Sequence, residues 1–267
     1  MGTQSLEAAT RRLSTSYSLD RDGFAISPEA LLDPDVVAET RAHVERVLAG
    51  EYETGVAPQT NTGGPDIAAH PPYIQSMMAH VSDGVLERMA RDPKLAGWVA
   101  QVTGARRLQV FMTVAMKKYP ETEESVAGWH QDEFYGANIF KSGRYFNCWV
   151  ALDDVDIDSG PIRFVPGSHH WNRIYKTYIH DVNDEAQRAA IEPAPGYCWT
   201  EVEAPMPAGW ASIHDQGTIH GSAPCRGTRA RVNMVVAYVV DDFEMVPAHF
   251  CATTIRDPDI SPVVYER

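Results

Sequence analysis

The chain has 267 residues, 44% of them apolar and 22% charged. This composition excludes a disordered segment, a collagen-like fibre and a small disulfide scaffold. Acidic residues outnumber basic ones 36 to 23, for a net charge of −13. Such a body repels phosphate backbones and anionic membranes, so nucleic acid and membrane partners are not expected. Four scattered cysteines, Cys148, Cys198, Cys225 and Cys251, form no zinc ribbon or redox pair. With no apolar leader in the first twelve residues, they predict a reduced, cytoplasmic protein.

In chain order, residues 1–18 are polar and expected to fray. Gly23 to Ile26 suggests a short strand. Asp33-Pro34 is a helix start, with an apolar stripe through Val36, Val37, Val44 and Leu48 that stops at Gly50. Glu51 to Pro72, rich in Gly and Pro, is expected to be a long loop acting as a lid over a site. A second helix is expected over roughly Ile74 to Arg91, and a third from Asp92-Pro93 to Gly104.

After Gly104 the period changes. Leu108 to Met116 alternates as a strand does, and strand-like runs follow at Tyr145–Leu152, Ile162–Val165, Ala211–Ile213 and Arg231–Val240. No Gly-rich phosphate loop or βαβ alternation appears, which disfavours a dinucleotide-binding fold. The reading is α+β: one domain over 1–267, with a mainly helical flank and lid loop (1–104), a β core (105–245) and a tail (246–267).

The chemistry concentrates at Trp129-His130-Gln131-Asp132. On a strand, residues i and i+2 share a face, so His130 and Asp132 point together. A third ligand must come from far away. His220, ninety residues on in Ile219-His220-Gly221-Ser222, is the candidate. Two imidazoles and one carboxylate form the facial triad of non-haem Fe(II) oxygenases, which leaves coordination positions open. His214 shares the face of His220 by alternation and is expected behind it. His169 and His170, in Pro-Gly-Ser-His-His, belong to a turn, and Asp153, Asp154, Asp156 and Asp158 suggest a solvated strand end.

The surrounding text carries more. His130-Gln131-Asp132, Trp149-Val150-Ala151-Leu152-Asp153-Asp154, Pro166-Gly167-Ser168-His169, His220-Gly221-Ser222, and Arg231 eleven residues past His220 together resemble the phytanoyl-CoA dioxygenase family of Fe(II)- and 2-oxoglutarate-dependent oxygenases. The resemblance is strong over about 104–240. Ser159-Gly160 replaces the usual Asn-Gly turn and Gly209-Trp210 the usual Gly-Asp, and neither change removes a ligand.

The resemblance implies a double-stranded β-helix, a jelly-roll or cupin-like barrel, flanked by the N-terminal helices. It implies Fe(II) on His130, Asp132 and His220, with 2-oxoglutarate and O₂ as cosubstrates and succinate and CO₂ as products. Arg231 is implied for the distal carboxylate of 2-oxoglutarate, since a guanidinium fork binds a carboxylate bidentately. Arg229 is its competitor and is expected as a solvated charge. Ser222, Trp149, Thr113, Lys117 and Gln75 are implied around the cosubstrate. Gln131, Phe134, Tyr135 and Arg144 are expected to contact substrate, on position alone. Hydroxylation of an unactivated C–H bond of a small-molecule substrate is the default outcome. Asp132 disfavours halogenation, whereas desaturation, epoxidation and ring formation use the same triad. Two alternatives stand beside this reading: a cupin-type metalloenzyme without 2-oxoglutarate, and a non-catalytic binding module. Neither has a use for a buried arginine eleven residues past the distal histidine together with all three ligands.

Overall fold

The computed structural model describes residues 3–62, 73–181, 183–249 and 251–267. Eight helices and twelve strands are found among them. The first segment does not fray. It forms α1 (Thr3–Ser16), because Leu6 and Thr10 are buried and the Thr10 hydroxyl donates to Pro205 O at 3.0 Å. That anchor lies 195 residues away, beyond any local reading. α2 (Leu19–Asp22) ends on Gly23 in the left-handed region and leads into β1 (Phe24–Ile26).

α3 (Pro34–Leu48) follows Asp33 as expected and buries Val37, Val44, Val47 and Leu48. β2 (Thr60–Asn61) belongs to the 51–72 stretch. Residues 63–72 of the expected lid lie outside the described residues. The helix expected over 74–91 is split. β3 (Tyr73–Met77) comes first, then a short 3₁₀ turn, and only then α4 (Gly84–Ala90), capped by the Asp83 carboxylate. The reason is tertiary: Tyr73 to Met77 ladder onto the long strand β4 (Arg107–Lys118), with Ile74 and Ser76 on one face and Gln75 and Met77 on the other. α5 (Pro93–Thr103) is capped by Asp92 and closes at left-handed Gly104.

The remaining elements are β5 (Ala127–His130), α6 (Asp132–Gly136), β6 (Phe140–Ala151), β7 (Ile162–Phe164), α7 (Asp184–Ala190), β8 (Val202–Ala204), β9 (Ala211–Asp215), β10 (His220–Ser222), β11 (Arg231–Met245), α8 (Cys251–Thr254) and β12 (Val263–Glu266). They build two antiparallel sheets. The larger runs β1-β9-β6-β11-β4-β3-β2, with β12 also on β4; the smaller runs β5-β10-β7-β8. This is a jelly-roll in an α+β chain: two sheets with a cavity between them and helices packed on the outside of the larger one.

β11 explains why the apolar run Val232–Val240 does not alternate. Val232, Met234, Val236 and Tyr238 pack against the helical layer with Val44, Leu86 and Val99. Val235 packs inward with Trp149 and Phe164. A strand covered on both faces is apolar at nearly every position, with Asn233 the one polar residue of the run. Between the sheets, Phe24 and Phe164 stack at 4.2 Å and tie β1 to β7.

Candidate active site

β5 and β10 are neighbours, and their register sets His220 opposite His130. Gly221 allows the close approach, since a Cβ there would stand 2.8 Å from Ala127 O. Each imidazole is oriented from behind: Nδ1 of His130 meets Gly128 O at 2.7 Å, and Nδ1 of His220 meets Thr218 O at 2.9 Å. Both Nε2 atoms therefore face inward as acceptors, the tautomer a metal needs.

Asp132 is not on a strand, as expected from the sequence, but opens α6. The juxtaposition survives because Gln131 between them is still extended (φ −118°, ψ 132°). Asp132 Oδ1 lies 3.8 Å from His130 Nε2, and Oδ2 lies 3.7 Å from His220 Nε2. The ligand atoms of the three residues all fall within 4.8 Å of one another, close enough to hold one ion. Burial raises the Asp132 carboxyl, but His220, His214 and His130 lower it more, leaving it well below the usual carboxylate range. Burial pushes both imidazoles down, that of His220 further because His214 and His130 add to it. The cluster thus presents one carboxylate and two neutral imidazoles, a donor set suited to a divalent first-row metal.

Two supports were missed by sequence reading. Asn147 Nδ2 donates to Asp132 Oδ2 at 2.6 Å, and the Tyr145 hydroxyl donates to Asp132 O at 2.6 Å. Alternation along β6 puts Tyr145, Asn147 and Trp149 on one face, so the signal was present. His214 on β9 stands 3.2 Å from Asp132 Oδ2 and packs against His220, behind the ligands as expected.

The other end of the cavity is cationic. Arg231, the first residue of β11, is 2% exposed. Its Nη1 donates to Gly160 O at 2.6 Å, its Nε has no partner, and its guanidinium lies 5.1 Å over the Trp149 ring. Glycine is required at 160: its φ is +71°, and a Cβ would meet Ala223 O at 2.5 Å. Asp153 braces the start of β11 by accepting from Val232 N at 2.8 Å, so it is built in rather than merely solvated, and Asp156 caps a 3₁₀ turn. Across the ladder from Arg231 is Lys118, also buried, whose Nζ donates to Ala223 O at 2.7 Å. Among the described residues no carboxylate lies within ion-pairing distance of either cation. Burial pushes the Arg231 guanidinium down to about 10; burial and the nearby Arg231 push the Lys118 ammonium well below its usual value.

A cavity of about 540 Å³ joins the two ends. Trp149, Ser222, Gln75 and Tyr135 line it, as expected, though Gln75 does so from a strand rather than a helix. Thr113 and Lys117 do not. On β4, Met112, Val114 and Met116 face the cavity, so odd-numbered 113 and 117 face the helices. Thr113 bonds His80, and Lys117 pairs with Glu45 at 2.6 Å. Lys118, one residue on, takes the opposite face of β4 from Lys117 but is not part of the cavity lining.

Three expected substrate contacts are also corrected. Gln131 turns away and knits loops, donating to Gly217 O at 2.7 Å and accepting from Tyr175 N at 3.0 Å. Arg144 pairs with Asp215 at 2.6 Å, outside the lining. Phe134 lies behind, edge-on to Tyr135 and Tyr178. Arg229 is exposed in a turn, and His169 and His170 sit on a 3₁₀ turn against Asp20 O.

A jelly-roll whose cavity joins a His-Asp-His cluster to an unpaired guanidinium has the parts of a non-haem iron dioxygenase dependent on 2-oxoglutarate. The chain belongs to the phytanoyl-CoA dioxygenase (PhyH) family, which it matches over residues 19–233. It is 27% identical over 242 residues to an ectoine dioxygenase of Bordetella parapertussis, covering 83% of this chain and 73% of that protein. It is 25% identical over 276 residues to an L-proline trans-4-hydroxylase of Streptomyces griseoviridis, covering 94% and 95%. Among solved structures, the epimerase SnoN in complex with Fe³⁺, alpha ketoglutarate and nogalamycin RO superposes with a TM-score of 0.67 at 22% identity, covering 92% and 90% of the two chains. Family and relatives make this an Fe(II)- and 2-oxoglutarate-dependent dioxygenase, with O₂ as the second cosubstrate. Among the described residues no helix is long and apolar enough to cross a membrane.

Proposed function

We propose that His130, Asp132 and His220 hold Fe(II), that Arg231 and Ser222 hold the distal carboxylate of 2-oxoglutarate, and that the enzyme hydroxylates a C–H bond of a small molecule. The observation that carries this is the buried Arg231 guanidinium, which lacks a carboxylate partner and lines the same cavity as the triad. An unpaired buried cation is costly, and a dianionic keto acid supplies the missing charge with bidentate geometry. Ferrous iron, when bound, supplies the activation of O₂ that couples decarboxylation of 2-oxoglutarate to succinate and CO₂ with oxidation of the substrate.

The chain's own residues do the rest. Gly128 O and Thr218 O hold the imidazole tautomers, and Asn147 and His214 fix the Asp132 carboxylate. Lys118 donates to Ser222 O and Ala223 O and so braces the segment that carries Ser222. Trp149 and Val235 form apolar walls that exclude water from the keto acid. Tyr135 is the one residue of the substrate set that we retain. We take residues 1–267 as one oxygenase domain and place it in the cytoplasm, where the four free thiols stay reduced.

The test is anaerobic. Adding Fe(II) and then 2-oxoglutarate to the protein is expected to produce a visible metal-to-ligand charge-transfer band, saturating at one equivalent of each. Protein that takes up iron but gives no band with the keto acid overturns the proposal in favour of a metalloenzyme of another type.

A further inference from the structure

In the proposed function, on which this inference rests, the keto acid occupies the Arg231 end of the cavity. The far end, past the triad, is walled by Met77, Phe111, Met112, Tyr135, Ile139 and Tyr178. Among the described lining residues, Asp132 is the sole carboxylate and Arg231 the sole guanidinium or ammonium group, and beyond the metal cluster the polar side chains include His180, His249 and Asn138. Both are committed, one to the metal and one to the keto acid. A charged substrate would therefore shed its hydration against largely apolar walls, with only the imidazoles of His180 and His249 to meet it. The net charge of −13 further opposes the approach of anions.

The mouth carries aromatic rings, with the exposed His180 beside them. Tyr135 and Tyr178, 38% and 55% exposed, are among the few large hydrophobic side chains on the surface, and both line this opening with Phe134 packed between them. Exposed aromatic rings rimming a concave apolar site mark a binding surface rather than incidental exposure. The cavity volume also lies in the range, roughly 300–1,000 Å³, that encloses drug-sized ligands.

We infer that the substrate is an uncharged, predominantly apolar, ring-bearing small molecule, and that amino acids and coenzyme A thioesters are not substrates. The chain thus parts from its proline-hydroxylating relative, whose substrate carries a carboxylate.

The test uses the enzyme loaded anaerobically with Fe(II) and 2-oxoglutarate. Three probes of one shape are titrated calorimetrically: 2-naphthaleneethanol, 2-naphthaleneacetate and 2-naphthaleneethylammonium, with L-proline alongside. The neutral alcohol is expected to bind about ten-fold or more tightly than either ion, and proline not to bind. Tyr178→Ala is expected to weaken the alcohol by about five-fold. Tyr135→Arg is expected to shift preference toward the acetate. Equal or tighter binding of an ion, binding of proline, or no heat from any of the naphthyl compounds overturns the inference. The charge-transfer band, recorded ahead of the probes, separates the two levels. A band without neutral preference sinks only the substrate class; no band sinks the oxygenase reading and the inference with it.

Discussion

The two ends of the cavity are built by opposite rules. At the triad end the ligands themselves are held by protein: each imidazole is tied to a carbonyl, and Asp132 receives Asn147 and sits beside His214. At the other end two cations are buried with only carbonyl partners, and Arg231 Nε has none. The first end is preorganised and close to charge-balanced, so it awaits a small ion. The second carries an uncompensated charge, which is why we place the anionic keto acid there. Preorganisation shows which groups act; imbalance shows what they act on.

The sharpest way to break this contrast is at the triad. His220→Ala or Asp132→Ala should abolish the charge-transfer band and reduce succinate release to background, a loss of several orders of magnitude. A band that persisted in either variant would move the metal elsewhere. Next comes the cationic end. Arg231→Gln removes charge-assisted hydrogen bonds worth about 1.5–3 kcal/mol and should raise the KM for 2-oxoglutarate about 10- to 100-fold. Thr113→Val and Lys117→Met, which alter the helix-facing side of β4, should leave that KM within about two-fold; an effect as large as that of Arg231→Gln would reinstate them around the cosubstrate.

A smaller effect is expected from the support of Asp132. Asn147→Ala should weaken Fe(II) binding about 10-fold, read by metal titration, because loss of an outer hydrogen bond releases the carboxylate orientation. Unchanged affinity would make that bond structural only. The smallest effect is on stability. Burial holds the His130 and His220 imidazoles below their ordinary value. As the pH falls through about 6.5 the unfolded chain therefore binds more protons than the folded one, and stability drops. Asp132, held low, acts in the same direction but only below about pH 4. The Tm of metal-free protein should fall between pH 7 and 5.5, by about 2–4 °C for each kcal/mol lost, and less steeply in His220→Gln. An equally steep fall in that variant would clear the buried imidazoles of responsibility.

Much of the site is legible in the chain itself. His130 and Asp132 stand out by residue type and spacing, and the family resemblance of the surrounding motifs points to His220 and Arg231, because metal and carboxylate chemistry tolerate few substitutes. The capped helices at Asp33-Pro34 and Asp92-Pro93 are equally readable, because a cap is a local event. The parity of β4 is not. Lys117 and Lys118 are adjacent in sequence, and a one-residue error reverses every side chain on a strand.

What the sequence determined by itself is therefore the chemistry and the locally encoded elements: the donor set, the guanidinium, the capped helices and the alternating strands. Only the tertiary structure decided which face of β4 looks inward, that Tyr73 to Met77 is a strand rather than a helix, that Asn147 bonds Asp132, and that the cavity wall past the triad is largely apolar. Those are relations between segments far apart in the chain. They are set by pairing register and packing, which no single stretch of residues encodes.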